Sequence, residues 1–236
     1  MFLSASMQEG FPLFNSSVSK AFTLIDFDAV IFDFDGVIAD SEPLHVKTKT
    51  ATLDAFGIPY THDQIMSFQG SPESHFFDHF AALSHQDSQK LLHYKRDLFD
   101  QGIHQIQAIE GALSFIKNTA LHKPCYLVTS SIRKQMSCFI ERHALVNEFK
   151  DLICCDDVVQ HKPHPEPYLT CMRRNELAAK RCLVIEDSPN GVISAKAAGC
   201  IVVGLVGEFT AQDLLKAGAN QTVASYHALE DLITPQ

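Results

Sequence analysis

Five short apolar runs, separated by helical patterns, constrain the fold of this sequence more than any other feature. None of them shows the polar–apolar alternation of a half-exposed strand. Runs of this kind are typical of strands buried on both faces of a parallel sheet. They are AVIF (29–32), CYLVT (125–129), LICC (152–155), CLVIE (182–186) and CIVVGLV (200–206).

Helical patterns between these runs complete an alternation of strand and helix, which predicts an α/β fold with a doubly wound parallel sheet. The helices are expected at 111–120, 132–143, 165–178, 189–198 and 210–217.

The interval 43–107 interrupts this alternation, because it contains helical patterns and no strand-like run. Such a segment is much longer than a crossover between two strands requires. We therefore expect an inserted α-helical cap subdomain at 43–107, above the carboxyl edge of the sheet. The α/β core domain would comprise 23–42 and 108–236, and residues 1–22 would form an N-terminal extension.

Charge and composition exclude several classes of function. The formal net charge of −9 argues against a nucleic-acid or anionic-membrane binder, which would carry a basic face. No apolar run approaches the roughly 20 residues that span a bilayer, and the N-terminus lacks the pattern of a signal peptide. Seven cysteines without a CxxC spacing favour buried, reduced thiols and a cytoplasmic location. We expect a monomer or a weak homodimer.

The tripeptide Asp-Phe-Asp occurs twice, at 26–28 and at 33–35. Asp33 and Asp35 directly follow the first apolar run and precede Gly36, at the sheet edge where α/β folds bind ligands. Glycine there permits the positive φ of a sharp turn. Asp26 and Asp28 precede the strand and are expected to be solvated. The second pair is therefore the candidate site.

Three later motifs would bring further polar groups to the same edge. The end of the second run carries Thr129, Ser130 and Ser131, whose hydroxyl and N–H groups suit phosphate oxygens. Lys162 follows the third run in HKPHPEPY, and Glu186 and Asp187 end the fourth run in VIEDSPNG.

Carboxylates that converge in this way repel one another, by roughly 3 kcal/mol for each pair at ~5 Å and an effective dielectric constant of ~20. An all-oxygen set beside a phosphate pocket suits Mg²⁺, which with Lys162 would neutralise a phosphoryl group. Asp33 could then attack phosphorus and form an aspartyl-phosphate. Asp35 could protonate the leaving oxygen and later activate water.

The motifs DFDGVIADSEPLH, VTSS, KPHPEPY and EDSPNGVISAKAAG, in this order, resemble the haloacid dehalogenase-like superfamily. The likeness spans 29–206 and is greatest to the capped branch of β-phosphoglucomutases and sugar-phosphate phosphatases, which have a Rossmann-like core. It implies a nucleophile at Asp33, an acid/base at Asp35, phosphate ligands at Thr129 and Lys162, and magnesium at Asp33, the Asp35 backbone carbonyl, Asp187 and Glu186. Whether Glu186 binds the metal directly or through water stays open.

Cap residues distinguish activities within this superfamily. Similar mutases carry an arginine three residues beyond a glycine, whereas this chain has Gly70 followed by Glu73. A carboxylate there is expected to repel the second phosphate of a bisphosphorylated sugar. His45 is a candidate for a substrate contact or for orienting the acid/base, with cap packing or solvent exposure as the alternatives. Lys95 could reach the substrate from the cap, but a solvated helix face is the default expectation for it.

Three functions follow from these observations. The leading expectation is a magnesium-dependent phosphatase of a small phosphorylated metabolite, such as a sugar or polyol phosphate. A β-phosphoglucomutase-like phosphomutase is the alternative, and a non-catalytic phospho-aspartate switch is the lesser alternative. Asp35 argues against the superfamily's dehalogenases and phosphonate hydrolases, which lack this second aspartate.

Overall fold

The computed structural model describes residues 26–68 and 73–233, and its centre is a six-stranded parallel sheet with strand order β5-β4-β1-β6-β7-β8. The expected N-terminal extension and Gly70 lie outside these residues. The strands are β1 Ala29–Phe32, β2 Ala39–Asp40, β3 Gln107–Ala108, β4 Cys125–Val128, β5 Phe149–Ile153, β6 Cys182–Glu186, β7 Ile201–Leu205 and β8 Gln221–Val223.

Helices cover both faces of the sheet. They are α1 Glu42–Ala55, α2 His62–Met66, α3 Glu73–Ser84, α4 Ser88–Gly102, α5 Ala112–Ala120, α6 Arg133–Arg142, α7 Glu166–Arg174, α8 Pro189–Ala197, α9 Ala211–Lys216 and α10 Tyr226–Ile233. Short 3₁₀ turns occupy Ile103–Gln105, Cys155–Asp157 and Ala179–Arg181. None of the helices described is long and apolar enough to cross a membrane.

Strand β1 shows why the apolar runs do not alternate. Val30 and Phe32 point into the core on one face of the sheet, and Ala29 and Ile31 into the core on the other. Because both faces are covered, every position of this central strand requires an apolar side chain. The predicted doubly wound α/β fold is thus confirmed.

Helices α1 to α4 form the helical cap, which has a hydrophobic core of its own around Leu53, Phe77 and Leu91. The chain enters the cap after β2 and leaves it before β3, and these two strands pair antiparallel. Ala39 lies opposite Ala108 in this ribbon. The two chain segments that connect the core with the cap are therefore held side by side.

Candidate active site

Asp33 directly follows β1, at the carboxyl edge and near the middle of the sheet. Its N–H donates to the carbonyl of Ile185 on the adjacent strand β6, and its side chain is almost fully buried. Asp26 and Asp28, by contrast, lie before β1 and are exposed, and both form ion pairs with Arg181. Of the two Asp-Phe-Asp tripeptides, only the one at 33–35 thus lies at the carboxyl edge of the sheet.

Lys162 is the cation that the fold brings to Asp33. Its Nζ lies 2.6 Å from Asp33 Oδ1 and 2.6 Å from Glu186 Oε1, and it donates to the carbonyl of Val128 at 3.1 Å. These three contacts use all the N–H groups of the ammonium. Burial alone would lower the pKa of Lys162, but the two carboxylates raise it well above its usual value.

Glu186 is fully buried and accepts hydrogen bonds at both side-chain oxygens. Lys162 and the hydroxyl of Tyr168 bind Oε1. The N–H groups of Asp187 and Ser188 and the Ser188 hydroxyl bind Oε2. This carboxylate therefore fixes the position of Lys162. The sequence position of Glu186 did not indicate this role, and the hydrogen bond from Tyr168 was not predicted.

The acids of the site outnumber the nearby cations. Burial raises the pKa of Asp33 to about 8 against the lowering effect of Lys162, and the charges of Glu186 and Asp35 raise it further. Burial, followed by the charges of Glu186 and Asp33, also raises the pKa of Asp187 well above its usual value. Without an additional cation, the folded protein favours protonation of these carboxyl groups.

The donor set fits a hard divalent cation. Buried oxygens of Asp33, Glu186 and Asp187 lie within 4.8 Å of one another. The side chain of Asp187 accepts no hydrogen bond from the residues described, whereas both oxygens of Glu186 do. Carboxylate oxygens at this spacing suit Mg²⁺. A bound cation would offset both the burial and the mutual repulsion that raise the pKa values of Asp33 and Asp187.

Gly36 forms a turn next to the side chain of Asp187. Its φ is +74°, and a Cβ atom at this position would lie 1.9 Å from Asp187 Oδ2. We expect Gly36→Ala to weaken the binding of Mg²⁺ to the folded protein at least about tenfold, because it imposes backbone strain and displaces the Asp187 carboxylate. The rise of the melting temperature with Mg²⁺ concentration measures this loss of affinity. Gly57→Ala is the control, because Gly57 also has a positive φ (+64°) but open space around it. Equal losses in the two variants would attribute the effect to backbone strain alone.

Two serine hydroxyls hold the side chain of Asp35. Ser41 donates to Oδ1 and Ser131 donates to Oδ2, each at 2.6 Å. The sequence predicted neither contact, although both serines lie in recognised motifs.

Thr129 is buried and its hydroxyl accepts from the N–H of Ser131. Ser130, which was expected to bind phosphate, is exposed, and its hydroxyl bonds to no residue in the part of the chain described.

A polar trio of His45, Glu73 and Lys95 joins helices α1, α3 and α4 of the cap. Lys95 Nζ lies 2.9 Å from His45 Nδ1 and makes an ion pair with Glu73, and His45 Nδ1 lies 3.2 Å from Glu73 Oε1. The ring of Phe99 stacks on His45 and lies 4.4 Å from Lys95 Nζ. Lys95 is 2% exposed, so the expectation that it belongs to a solvated helix face is wrong.

The pairing of Glu73 also changes the argument against a mutase. Burial would raise the pKa of this carboxyl, but the hydrogen bond with His45 and the charge of Lys95 lower it below its usual range. The charge of Glu73 is therefore present but compensated by Lys95. Simple repulsion of a second phosphate by an isolated carboxylate does not describe this site.

Comparisons with known proteins agree with this architecture. The sequence profile of the haloacid dehalogenase-like hydrolases matches residues 30–205. A phosphorylated carbohydrates phosphatase of Thermotoga maritima is 32% identical over 200 residues, which cover 81% of this chain and 92% of the relative. A fructose-1-phosphate phosphatase of Escherichia coli K12 is 25% identical over 179 residues, covering 73% and 93% of the two chains. A solved structure from Thermotoga maritima, provisionally described as a beta-phosphoglucomutase, has a TM-score of 0.75 at 26% identity and covers 87% of this chain and 98% of its own. This chain belongs to the haloacid dehalogenase-like hydrolase family.

Proposed function

We propose that this protein is a magnesium-dependent phosphatase that hydrolyses a small sugar or polyol phosphate through an aspartyl-phosphate on Asp33. The observation that carries the proposal is the contact of the buried Asp33 carboxylate with Lys162, beside Glu186 and Asp187. The names of the relatives support the substrate class, since two of them are phosphatases of phosphorylated carbohydrates and of fructose 1-phosphate.

In the first step, an oxygen of Asp33 would attack phosphorus while the bond from phosphorus to the leaving oxygen breaks. Lys162 would offset the negative charge of the phosphoryl group near the nucleophile. The leaving oxygen would take its proton from Asp35, whose side chain the hydroxyls of Ser41 and Ser131 orient.

In the second step, a water molecule would attack phosphorus and give a proton to Asp35, and inorganic phosphate would leave as the Asp33 carboxylate is restored. Mg²⁺, when bound, would supply positive charge that stabilises the phosphoryl oxygens. Asp33 and Asp187 are the side chains that would hold it, with the backbone carbonyl of Asp35. Glu186 would act through Lys162 or through a bound water.

A panel of phosphorylated sugars, polyols and small acids tests this proposal by release of inorganic phosphate, with Mg²⁺ or with EDTA. We expect release that requires Mg²⁺ and is greatest for sugar or polyol phosphates. Conversion of β-glucose 1-phosphate into the 6-phosphate without phosphate release would instead establish a mutase. A phosphorylated Asp33 that persists for hours would favour a phospho-aspartate switch.

A further inference from the structure

A cavity of about 510 Å³ lies at the amino edge of the sheet, between α5 and α10. Phe27 lines it just before β1 begins, and Lys123 lines it shortly before β4 begins. Asp33 follows β1 at the carboxyl edge, so the length of a strand separates the cavity from the active site. The cavity is therefore not part of the site described above.

The lining of this cavity combines apolar and acidic surface. Phe27 and Phe115 are buried, and Ile233 is half-buried and packs against the same hydrophobic cluster. Glu230 and Asp231, near the end of α10, add two carboxylates. Apolar surface around an open cavity favours a group that excludes water from it. The lining thus suits apolar side chains that are accompanied by a positive charge.

The first Asp-Phe-Asp tripeptide, 26–28, fixes the chain beside this cavity. Asp26 and Asp28 form ion pairs with Arg181, and the N–H of Asp28 donates to the carbonyl of Arg181 at 2.8 Å. From the other side, Lys123 Nζ donates to the carbonyl of Phe27 at 2.9 Å. These contacts hold Phe27 in the lining, so the residues directly before the tripeptide start next to the cavity.

Those residues, 18–25 (VSKAFTLI), match the lining in chemistry. Lys20 is the only charged residue among them. Four of them are large and apolar: Val18, Phe22, Leu24 and Ile25. A sphere of the cavity's volume is roughly 10 Å across, a distance that about three or four residues of extended chain can span. The segment 18–25 is therefore long enough to cross the cavity and to bring Lys20 to the carboxylates of α10.

We propose that residues 18–25 bind in this cavity of their own chain, with Phe22 on the apolar lining and Lys20 beside the two carboxylates. The family profile matches residues 30–205, so the contact joins two parts of the chain that the profile does not cover, the N-terminal segment and α10. Its effect is to stabilise the α/β core from the edge opposite to the phosphoryl-transfer site.

A single fluorescent probe tests the inference, because the sequence contains no tryptophan. In full-length Phe22→Trp, the indole should emit at shorter wavelength and be quenched less by acrylamide than in Phe2→Trp, the control outside 18–25. A second change, Thr119→Arg, places a long charged side chain in the lining. It should shift the emission of the Phe22→Trp probe to longer wavelength and increase its quenching. Ser114→Arg, on the exposed side of α5, should change neither.

Thermal stability provides a second readout. Phe22→Ser should lower the melting temperature by about 4 °C or more, because a buried aromatic side chain is lost, whereas Phe2→Ser should change it little. Neither measurement depends on phosphatase activity, so this inference and the proposed function can fail independently.

Three results would overturn the inference. The first is equal quenching of the probes in Phe22→Trp and Phe2→Trp. The second is an emission that Thr119→Arg leaves unchanged in a variant whose circular dichroism shows that it is folded. The third is shielding of the Phe22→Trp probe that disappears on dilution together with a dimer in sedimentation, since the cavity would then bind the segment of a second copy.

Discussion

Asp33→Asn is expected to abolish phosphate release and, without magnesium, to raise the thermal stability of the protein. Loss of a nucleophile typically lowers kcat by at least about 10⁴-fold. The gain in stability has a separate cause: burial, and after it the charges of Glu186 and Asp35, favour the protonated form of the Asp33 carboxyl. An uncharged amide of similar shape removes the buried negative charge and can still accept a hydrogen bond from Lys162.

The pH dependence of this gain follows from the direction of the shift. The pKa of Asp33 is about 8 in the folded protein, above its ordinary value of 3.8. Below pH 3.8, Asp33 is protonated in both the folded and the unfolded state. Between pH 3.8 and about 8 only the unfolded chain loses this proton, so the folded protein becomes less stable as pH rises. The advantage of Asp33→Asn should grow over this range, by up to about 1.4 kcal/mol per pH unit.

Thermal melting in EDTA at several pH values measures this effect, beside phosphate-release assays with Mg²⁺. Asp26→Asn provides a matched control, because Asp26 belongs to the exposed copy of the same tripeptide. It should leave activity nearly unchanged and show no comparable growth of stability with pH. A lower melting temperature for Asp33→Asn throughout the range would contradict the electrostatic account.

Lys162→Met is expected to destabilise the protein, in the opposite direction to the change at Asp33. Its removal would leave Asp33 and Glu186 buried without the ammonium that bonds to both. Loss of one partner of a buried ion pair typically costs about 3–5 kcal/mol. Phosphate release should also disappear, because Lys162 is proposed to neutralise the phosphoryl group.

Urea unfolding in EDTA at pH 7 measures the loss of stability. Lys150→Met is a suitable control, since Lys150 is exposed on β5, and it should change the free energy of unfolding little. The combination Asp33→Asn with Lys162→Met tests the coupling between the two residues. A sum of two independent effects would mean that the 2.6 Å contact does not control the stability of the site.

The interior strands of the sheet were predictable, whereas its edges were not. For β1, β4, β6 and β7, the apolar runs match the observed strands to within one residue at each end. At one edge, β5 begins at Phe149, earlier than the predicted 152, because its exposed and half-buried residues interrupt the apolar run. At the other edge, β8 was missed because its three residues include Gln221 and Thr222.

In the active site, the positions of residues at strand ends were predictable, whereas contacts between side chains from loops and from different helices were not. Residues at the ends of interior strands, such as Asp33 and Glu186, could be assigned to one edge from sequence order alone. The contacts of Ser41 and Ser131 with Asp35 depend on side-chain directions in two loops, which no periodicity specifies. The burial of Lys95 depends on Glu73, 22 positions away in the sequence and on another helix.

The ribbon of β2 and β3 makes the cap a modular unit. Because Ala39 and Ala108 are held opposite each other, the two ends of the insertion stay adjacent whatever lies between them. The insertion also has a hydrophobic cluster of its own, and the insertion residues that join the cluster on one face of the sheet, among them Leu44 and Phe99, lie near its two ends. Its helices can therefore be exchanged or remodelled without changing the register of the sheet, so substrate preference can diverge while the phosphoryl-transfer chemistry of the core is retained.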